Sequence, residues 1–172
     1  NASLSGGELK RIEIAMIIAR GTKLSLFDEP EAGIDLWSFN NLIKVFEGMH
    51  EKINGSILII SHQERIIQMA DKIMVMYAGM VIEYATAREI FKDPKHPYTK
   101  LLMQALPRKT KAEGRLQTIS GSVPRITEKK PECRFANRCP LAQDICFQAS
   151  PQTVMVKEDH MCRCHLLGKE VK

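Results

Sequence analysis

The sequence has no long apolar run. Of its 172 residues 44% are hydrophobic, but no stretch approaches the ~18–20 consecutive apolar residues that a membrane-crossing helix needs. The first motif is not preceded by the charged and apolar stretches of a secretory leader. Aromatic residues make up only 6%, with a single tryptophan. These absences favour a globular chain that is cytoplasmic, or that is held at a membrane by partners.

Positive charge is in excess in one segment only. The net charge is +5, and residues 107–130 alone contain seven Lys or Arg against two Asp or Glu, so the remainder is neutral. A short basic stretch with Gly, Pro and Ser and no hydrophobic periodicity is typical of a solvated linker rather than of a nucleic-acid surface. We therefore predict no nucleic-acid partner. The predicted organisation is a domain at 1–106, a basic linker at 107–131 and a Cys-rich module at 132–172.

The first motif is Leu-Ser-Gly-Gly-Glu at residues 4–8. Ser5 and Glu8 have the spacing of a capping box. The helix that should follow has one apolar face, formed by Leu9, Ile12, Met16 and Ala19. Gly6 and Gly7 are poor helix formers, and their use in a first turn is to let another group approach the backbone closely. Free N–H groups at a helix start bind anions, most often phosphate. Two interpretations of the motif therefore stand at this point, a capped helix alone and a phosphate site.

Alternating strand and helix patterns follow. Buried strands are predicted at Leu24–Phe27 and in the apolar segment beginning at residue 56, with a long helix capped by Asp35 between them. A hairpin is predicted around Ala78 and Gly79. Short helices should follow near 64–70, 86–91 and 98–105. This alternation predicts an α/β fold with a mostly parallel sheet flanked by helices.

Three polar residues follow the two predicted strands. Asp28 and Glu29 end the first strand, and His62 comes just after the second. Because ligands of open α/β sheets bind at the carboxyl ends of the strands, we expect these side chains to converge there. At such a place an Asp can hold Mg²⁺, a Glu can deprotonate an attacking water, and a His can contact a terminal phosphate.

These motifs, in this order, resemble the second half of an ATP-binding cassette (ABC) transporter ATPase. Residues 4–8 match the signature motif, residues 24–29 match Walker B, residues 31–35 match the D-loop, and His62 matches the switch histidine. The resemblance implies that Asp28 helps to hold Mg²⁺, that Glu29 is the catalytic carboxylate and that Asp35 ends the D-loop. It also implies a head-to-tail dimer, in which Ser5, Gly6, Gly7 and Glu8 approach the ATP that is bound to the other subunit.

The C-terminal part narrows the resemblance. The segments at 96–108, 133–146 and 160–165 resemble the C-terminal extension of oligopeptide and dipeptide importer ATPases. The implied function is an ATPase subunit that powers peptide import. The implied partners are a second ABC ATPase subunit (identical or different), membrane permeases and, indirectly, a peptide-binding protein, with the chain peripheral on the cytoplasmic face of the plasma membrane. A soluble ABC ATPase of iron–sulfur assembly and a non-enzymatic metal-binding module are the alternatives.

The sequence departs from the ABC pattern in three ways. It contains no Gly-x-x-x-x-Gly-Lys-Ser/Thr motif, so neither the phosphate-cradling loop nor its lysine is encoded. The Q-loop and most of the helical subdomain are likewise expected upstream of residue 1. The amino-acid sequences at residues 8–15 and 28–39 are closer to those of ABC ATPases of the iron–sulfur assembly kind than to those of peptide importers. We therefore interpret the chain as a C-terminal fragment that is inactive by itself.

All five cysteines lie after residue 130. In a cytoplasmic protein such a cluster is more often metal-binding or catalytic than disulfide-bonded. Their spacings are longer than the paired ligands of structural zinc sites, and four thiolates can instead hold a [4Fe–4S] cluster, as the family resemblance also implies; zinc and free thiols remain alternatives. The family pattern from His160 to His165 selects Cys164 over Cys162. The proposed ligands are Cys133, Cys139, Cys146 and Cys164.

Overall fold

A computed structural model describes residues 4, 6–52, 55–105, 119–124 and 131–167. Contacts divide the chain into two compact units, Asn1–Met69 and Ala70–Lys172. The predicted linker at 107–131 lies mostly outside the described residues, and so does Ser5. No helix in the described ranges is long and apolar enough to cross a membrane.

The first unit combines one parallel strand pair with three helices. Its elements are α1 (Gly6–Arg20), β1 (Leu24–Asp28), α2 (Leu36–Lys52), β2 (Ser56–Ile60) and α3 (Glu64–Met69). Strands β1 and β2 pair in parallel from Leu24↔Ser56 to Asp28↔Ile60, with α2 as the crossover. The buried core consists of Ile14, Phe27, Phe39, Leu42, Ile43, Phe46, Met49 and Ile66. Most of these lie on α2, whose apolar spacing was visible in the sequence.

The two strands are not fully buried, contrary to the sequence prediction. Phe27 is 7% exposed, whereas Leu26 is 64% and Leu58 is 49% exposed. Successive side chains of a strand point to opposite faces, so one covered face leaves every second residue in solvent. In the described residues the core covers one face of this strand pair only.

Helix α1 also buries a different face from the one predicted. Leu9, Ile12 and Met16 are 46–52% exposed, whereas Ile14 is 3% exposed and belongs to the core. The prediction was wrong because α1 carries apolar residues on nearly all sides, so the spacing rule could not select one face.

The second unit is built on a four-stranded antiparallel sheet. Its strands are β3 (Lys72–Tyr77), β4 (Met80–Thr86), β5 (Val154–Lys157) and β6 (His160–Cys162), in the order β3-β4-β6-β5. Ala78 and Gly79 both have positive φ, the conformation of a two-residue hairpin turn, and confirm the predicted hairpin. The described strands are thus divided between a parallel pair and an antiparallel sheet. The prediction of a mostly parallel sheet was wrong because tight turns return β4 and β6 beside their predecessors.

Short helices pack around this sheet. They are α4 (Ala87–Lys92), α5 (Pro97–Ala105) and α6 (Asp144–Gln148), with short 3₁₀ turns at Ala136–Arg138 and His165–Leu167. The Thr86 hydroxyl accepts a hydrogen bond from the Glu89 N–H (3.3 Å) and so caps α4. The core consists of Val75, Tyr77, Ile82, Ala85, Ile90, Met103 and Phe135.

A buried hydrogen-bonded pair joins the hairpin to the C-terminal strands. Glu83 on β4 and His160 on β6 are 0% and 1% exposed, and the Glu83 Oε1 to His160 Nε2 distance is 2.8 Å. The same carboxylate accepts hydrogen bonds from the backbone N–H groups of Lys95 (2.6 Å) and His96 (2.9 Å). One side chain therefore anchors two strands and the start of α5.

Candidate functional site

The loops after β1 and β2 lie side by side. Asp28 is the last residue of β1 and pairs with Ile60, the last residue of β2. One residue further on, the Glu29 N–H donates a hydrogen bond to the Ile60 carbonyl oxygen at 2.9 Å. This edge is the carboxyl end of the parallel pair, where ligands of α/β sheets bind.

Glu29 and His62 meet at this edge. The Glu29 Oε1 to His62 Nδ1 distance is 3.5 Å, and the two side chains are 53% and 68% exposed. Glu29 has a positive φ of 41°, which is uncommon for a residue with a side chain and is enriched at functional sites as well as in turns. The arrangement presents a carboxylate and an imidazole to solvent, where a water and an anionic group can reach both.

Glu31 is a third carboxylate in the same loop, and sequence reasoning did not single it out. It is 6% exposed. The Ser61 hydroxyl donates a short hydrogen bond to Glu31 Oε1 and accepts one from the Gln63 N–H at 3.0 Å. A signal existed in the sequence, since Glu31 stands only two residues after Glu29.

The beginnings of α1 and α2 are close together. The Asp35 carboxylate accepts a hydrogen bond from the Ser38 N–H (2.9 Å), and so caps α2 as predicted. A Cβ on Gly7 would lie 3.6 Å from Ser38 Oγ, so the first turn of α1 packs against the first turn of α2. A Cβ on Gly6 would meet nothing within 4 Å. Glu8 is exposed in the first turn of α1.

Four of the five cysteines line one cavity of the second unit. Cys133, Cys139, Cys146 and Cys164 face it together with His96 and His165. Cys162 is absent from this lining and is 1% exposed. As the side chains are placed, no three His, Cys, Asp or Glu residues in the described ranges are arranged to hold a metal ion.

Burial affects the protonation of three thiols in this cavity. It raises the pKa of Cys133 and of Cys139, and that of Cys164 to about 11, while neighbouring backbone N–H groups act in the opposite direction. The N–H groups of Phe135, Leu141 and Leu166 oppose the rise at Cys133, Cys139 and Cys164. N–H groups directed at sulfur stabilise a thiolate. The raised pKa values favour protonated thiols, so a metal bound here would have to displace their protons.

Residues 82–146 match the family described as the C-terminal region of oligopeptide/dipeptide transporters. The matched region begins in β4 and ends at Cys146, so it includes the buried Glu83 and three of the four cavity cysteines.

Most of the chain is similar to curated transport proteins. It is 36% identical over 168 residues to the oligopeptide transport ATP-binding protein AppD of Bacillus subtilis, covering 97% of this chain and 51% of that protein. It is 37% identical over 150 residues to the dipeptide transport ATP-binding protein DppD of Haemophilus influenzae, covering 87% of this chain and 46% of that protein. The chain thus spans about half the length of these relatives.

Among solved structures, the chain resembles an ATP-binding cassette of an ABC transporter in its ADP conformation. The TM-score is 0.47 at 22% identity, covering 58% of this chain and 41% of the other. The relatives named above are transport proteins, and they give no support to the iron–sulfur assembly alternative. The resemblance seen in the sequence is confirmed: residues 82–146 match the family of oligopeptide/dipeptide transporter C-terminal regions, and most of the chain is similar to ATP-binding proteins of oligopeptide and dipeptide transport.

Proposed function

We propose that this chain is the catalytic second half of an ATPase that powers the import of oligopeptides or dipeptides. The observation that carries the proposal is the exposed Glu29–His62 pair, 3.5 Å apart at the carboxyl ends of two parallel strands. The names of the relatives, which describe ATP-binding proteins of peptide transport, support it.

Each residue of the pair has a separate part in hydrolysis. The Glu29 carboxylate accepts a proton from the attacking water, which general-base catalysis requires. The His62 imidazole donates a hydrogen bond to the terminal phosphate and so fixes its position. The Asp28 carboxylate is the group that would hold Mg²⁺, which neutralises the charge that develops on the phosphate oxygens. ATP is the substrate in this scheme.

The start of α1 and Asp35 are proposed to face a second ABC subunit, identical or different. Gly6 is exposed, and the buried Gly7 and the exposed Asp35 both lie against the first turn of α2, so the three are close together. The proposal includes Ser5 and Glu8 in the surface that receives the partner's ATP. Membrane permeases and, indirectly, a peptide-binding protein would complete the importer, with this chain peripheral on the cytoplasmic face of the plasma membrane.

The complete protein tests this function. Glu29→Gln removes the base and keeps the shape of the side chain, so ATP hydrolysis should fall by about 10²–10⁴-fold while ATP still binds. Glu47→Gln, on the exposed side of α2, is the matched control and should leave the rate unchanged. A near wild-type rate in Glu29→Gln would show that another carboxylate is the base.

We also propose that the 132–172 module holds a [4Fe–4S] cluster on Cys133, Cys139, Cys146 and Cys164. The cavity that these four cysteines share supports it. Four thiolates are the usual ligands of such a cluster, and hydrogen bonds to sulfur tune its potential.

Anaerobic purification followed by iron, sulfide and zinc analysis tests the cluster. Cys139→Ser should lose bound iron and labile sulfide, whereas Cys162→Ala, outside the cavity, should keep both. One zinc per chain without sulfide would refute the cluster. Unchanged metal content in Cys139→Ser would refute metal binding by these four thiols.

A further inference from the structure

Glu31 is buried at a place where burial costs free energy. Its side chain is 6% exposed, and its Oε2 has no hydrogen-bond partner among the described residues. A buried carboxylate oxygen without a donor is destabilising. Glu29, two residues earlier, is 53% exposed and avoids this cost. Such an unsatisfied group calls for a role that offsets the cost.

The contacts of Glu31 lead to the backbone on both sides of His62. Ser61 donates its hydroxyl hydrogen to Glu31 Oε1, and the same hydroxyl accepts the Gln63 N–H at 3.0 Å. The Gln63 carbonyl in turn accepts the Ile66 N–H (3.0 Å) at the start of α3. The residues before and after His62 are therefore both tied to one buried carboxylate.

A second link joins the two loops near this point. The Glu29 N–H donates to the Ile60 carbonyl, and the Ala32 N–H donates to the Glu29 carbonyl, both at 2.9 Å. The Glu29–Ile60 bond fixes the backbone of Glu29, and the Glu31–Ser61 bond fixes the backbone that precedes His62. Among the described residues, the Glu31–Ser61 bond therefore ties the His62 loop to the loop after β1, in addition to the bond at the end of β2.

Exact placement matters here because the side chain itself is poorly confined. His62 is 68% exposed, so packing does little to fix its ring. Misplacing a reacting group by about 1 Å can cost on the order of 10²-fold in rate.

We propose that Glu31 is a positioning residue, which acts through Ser61 to hold His62 beside Glu29. This inference rests on the proposed ATPase function for its consequence in catalysis, but not for the contact itself.

Amide hydrogen exchange in the 172-residue chain tests the contact without any ATPase activity. Glu31→Ala frees the Ser61 hydroxyl, so the Gln63 amide should exchange at least about tenfold faster, whereas Glu31→Gln keeps an acceptor oxygen and should restore slow exchange. The Phe39 amide, bonded to Asp35 at 2.9 Å, is the internal reference. Glu64→Ala, which removes a nearby carboxylate that accepts a hydrogen bond from Gln68, is the control variant. Unchanged Gln63 exchange in Glu31→Ala, or equal acceleration at Phe39, would overturn the contact.

A double-mutant cycle in the complete protein tests the catalytic consequence. Glu31→Ala should lower kcat by about 10–100-fold with an unchanged KM. In a His62→Ala background the same change should lower kcat by less than about twofold, because the group that it positions is gone. Glu31→Gln should restore kcat.

Equal loss of kcat in both backgrounds, or no rescue by Glu31→Gln, would overturn the positioning role. Absence of any ATPase activity in the complete protein would instead refute the proposed function, and the exchange measurement alone would then decide whether Glu31 holds the His62 loop.

Discussion

Glu83 should be one of the most sensitive residues of the second unit, and Glu83→Ala tests this. The side chain is 0% exposed and satisfies the N–H groups of Lys95 and His96 as well as the ring of His160. Its removal takes away the acceptor of the buried His96 N–H and the part-buried Lys95 N–H, and the partner of the buried His160 ring. Breaking a buried pair costs about 3–5 kcal/mol, and each orphaned donor about 1–3 kcal/mol. These costs overlap, so we expect a loss of about 3–5 kcal/mol.

That loss is a large fraction of the ~5–15 kcal/mol that stabilises a typical small domain. Glu83→Gln keeps one acceptor oxygen and should cost less, about 1–3 kcal/mol. Glu158→Ala, exposed in the turn between β5 and β6, is the matched control and should stay within ±0.5 kcal/mol, as surface substitutions usually do.

Urea unfolding can be followed separately in the two units, since a chain of two units need not unfold in one step. All three tyrosines lie after residue 69, and the single tryptophan lies before it. The tyrosine-detected transition should move to lower urea in Glu83→Ala, with the tryptophan-detected transition as the internal reference. A change below about 1 kcal/mol, or an equal change in Glu158→Ala, would refute the account of the Glu83 anchor.

Three further outcomes are expected. Burial lowers the pKa of folded His96 to about 4 against 6.5 for the free side chain, so the unfolded state binds more protons between these values. Stability should be complete above pH 6.5 and fall by on the order of 3 kcal/mol towards pH 4, and His96→Asn should flatten this dependence in tyrosine-detected unfolding. The side chain added by Gly6→Ala would meet no atom within 4 Å, so the substitution should raise helix stability by up to about 1 kcal/mol in thermal unfolding. It should nevertheless lower the ATPase activity of the complete protein about tenfold. An unaltered rate would place Gly6 outside the site. The 172-residue chain alone should release no phosphate from MgATP above a Glu29→Gln control, and a measurable excess would contradict the interpretation of this chain as a fragment.

Local signals account for the elements that the sequence predicted well. The hairpin turn at Ala78 and Gly79 needs two residues with positive φ, and the sequence offers a small residue and a glycine there. Helix α2 begins after a capping Asp35 and keeps regular apolar spacing. In each case the residues that fix the conformation are within a few positions of one another.

Non-local contacts were beyond such reasoning. Strand β6 has three residues and pairs with β4 through Glu83↔Cys162, almost eighty positions apart. No periodicity can arise in so short a strand, and nothing near His160 in the sequence indicates that its partner is Glu83. The buried faces of α1 and of the β1–β2 pair were not predicted correctly for a related reason, because burial depends on what covers an element.

The loop after β1 shows most clearly how environment divides work between identical groups. Glu29 and Glu31 carry the same carboxylate two residues apart, yet one is 53% and the other 6% exposed. The exposed carboxylate is accessible to a water, whose proton it can accept, whereas the buried one makes a part-buried hydrogen bond to the neighbouring loop, where solvent competes less. A turn closed by the Ala32 N–H on the Glu29 carbonyl sends the two side chains to these different places. The sequence singled out Glu29 alone, and the turn is what separates the environments of the two carboxylates.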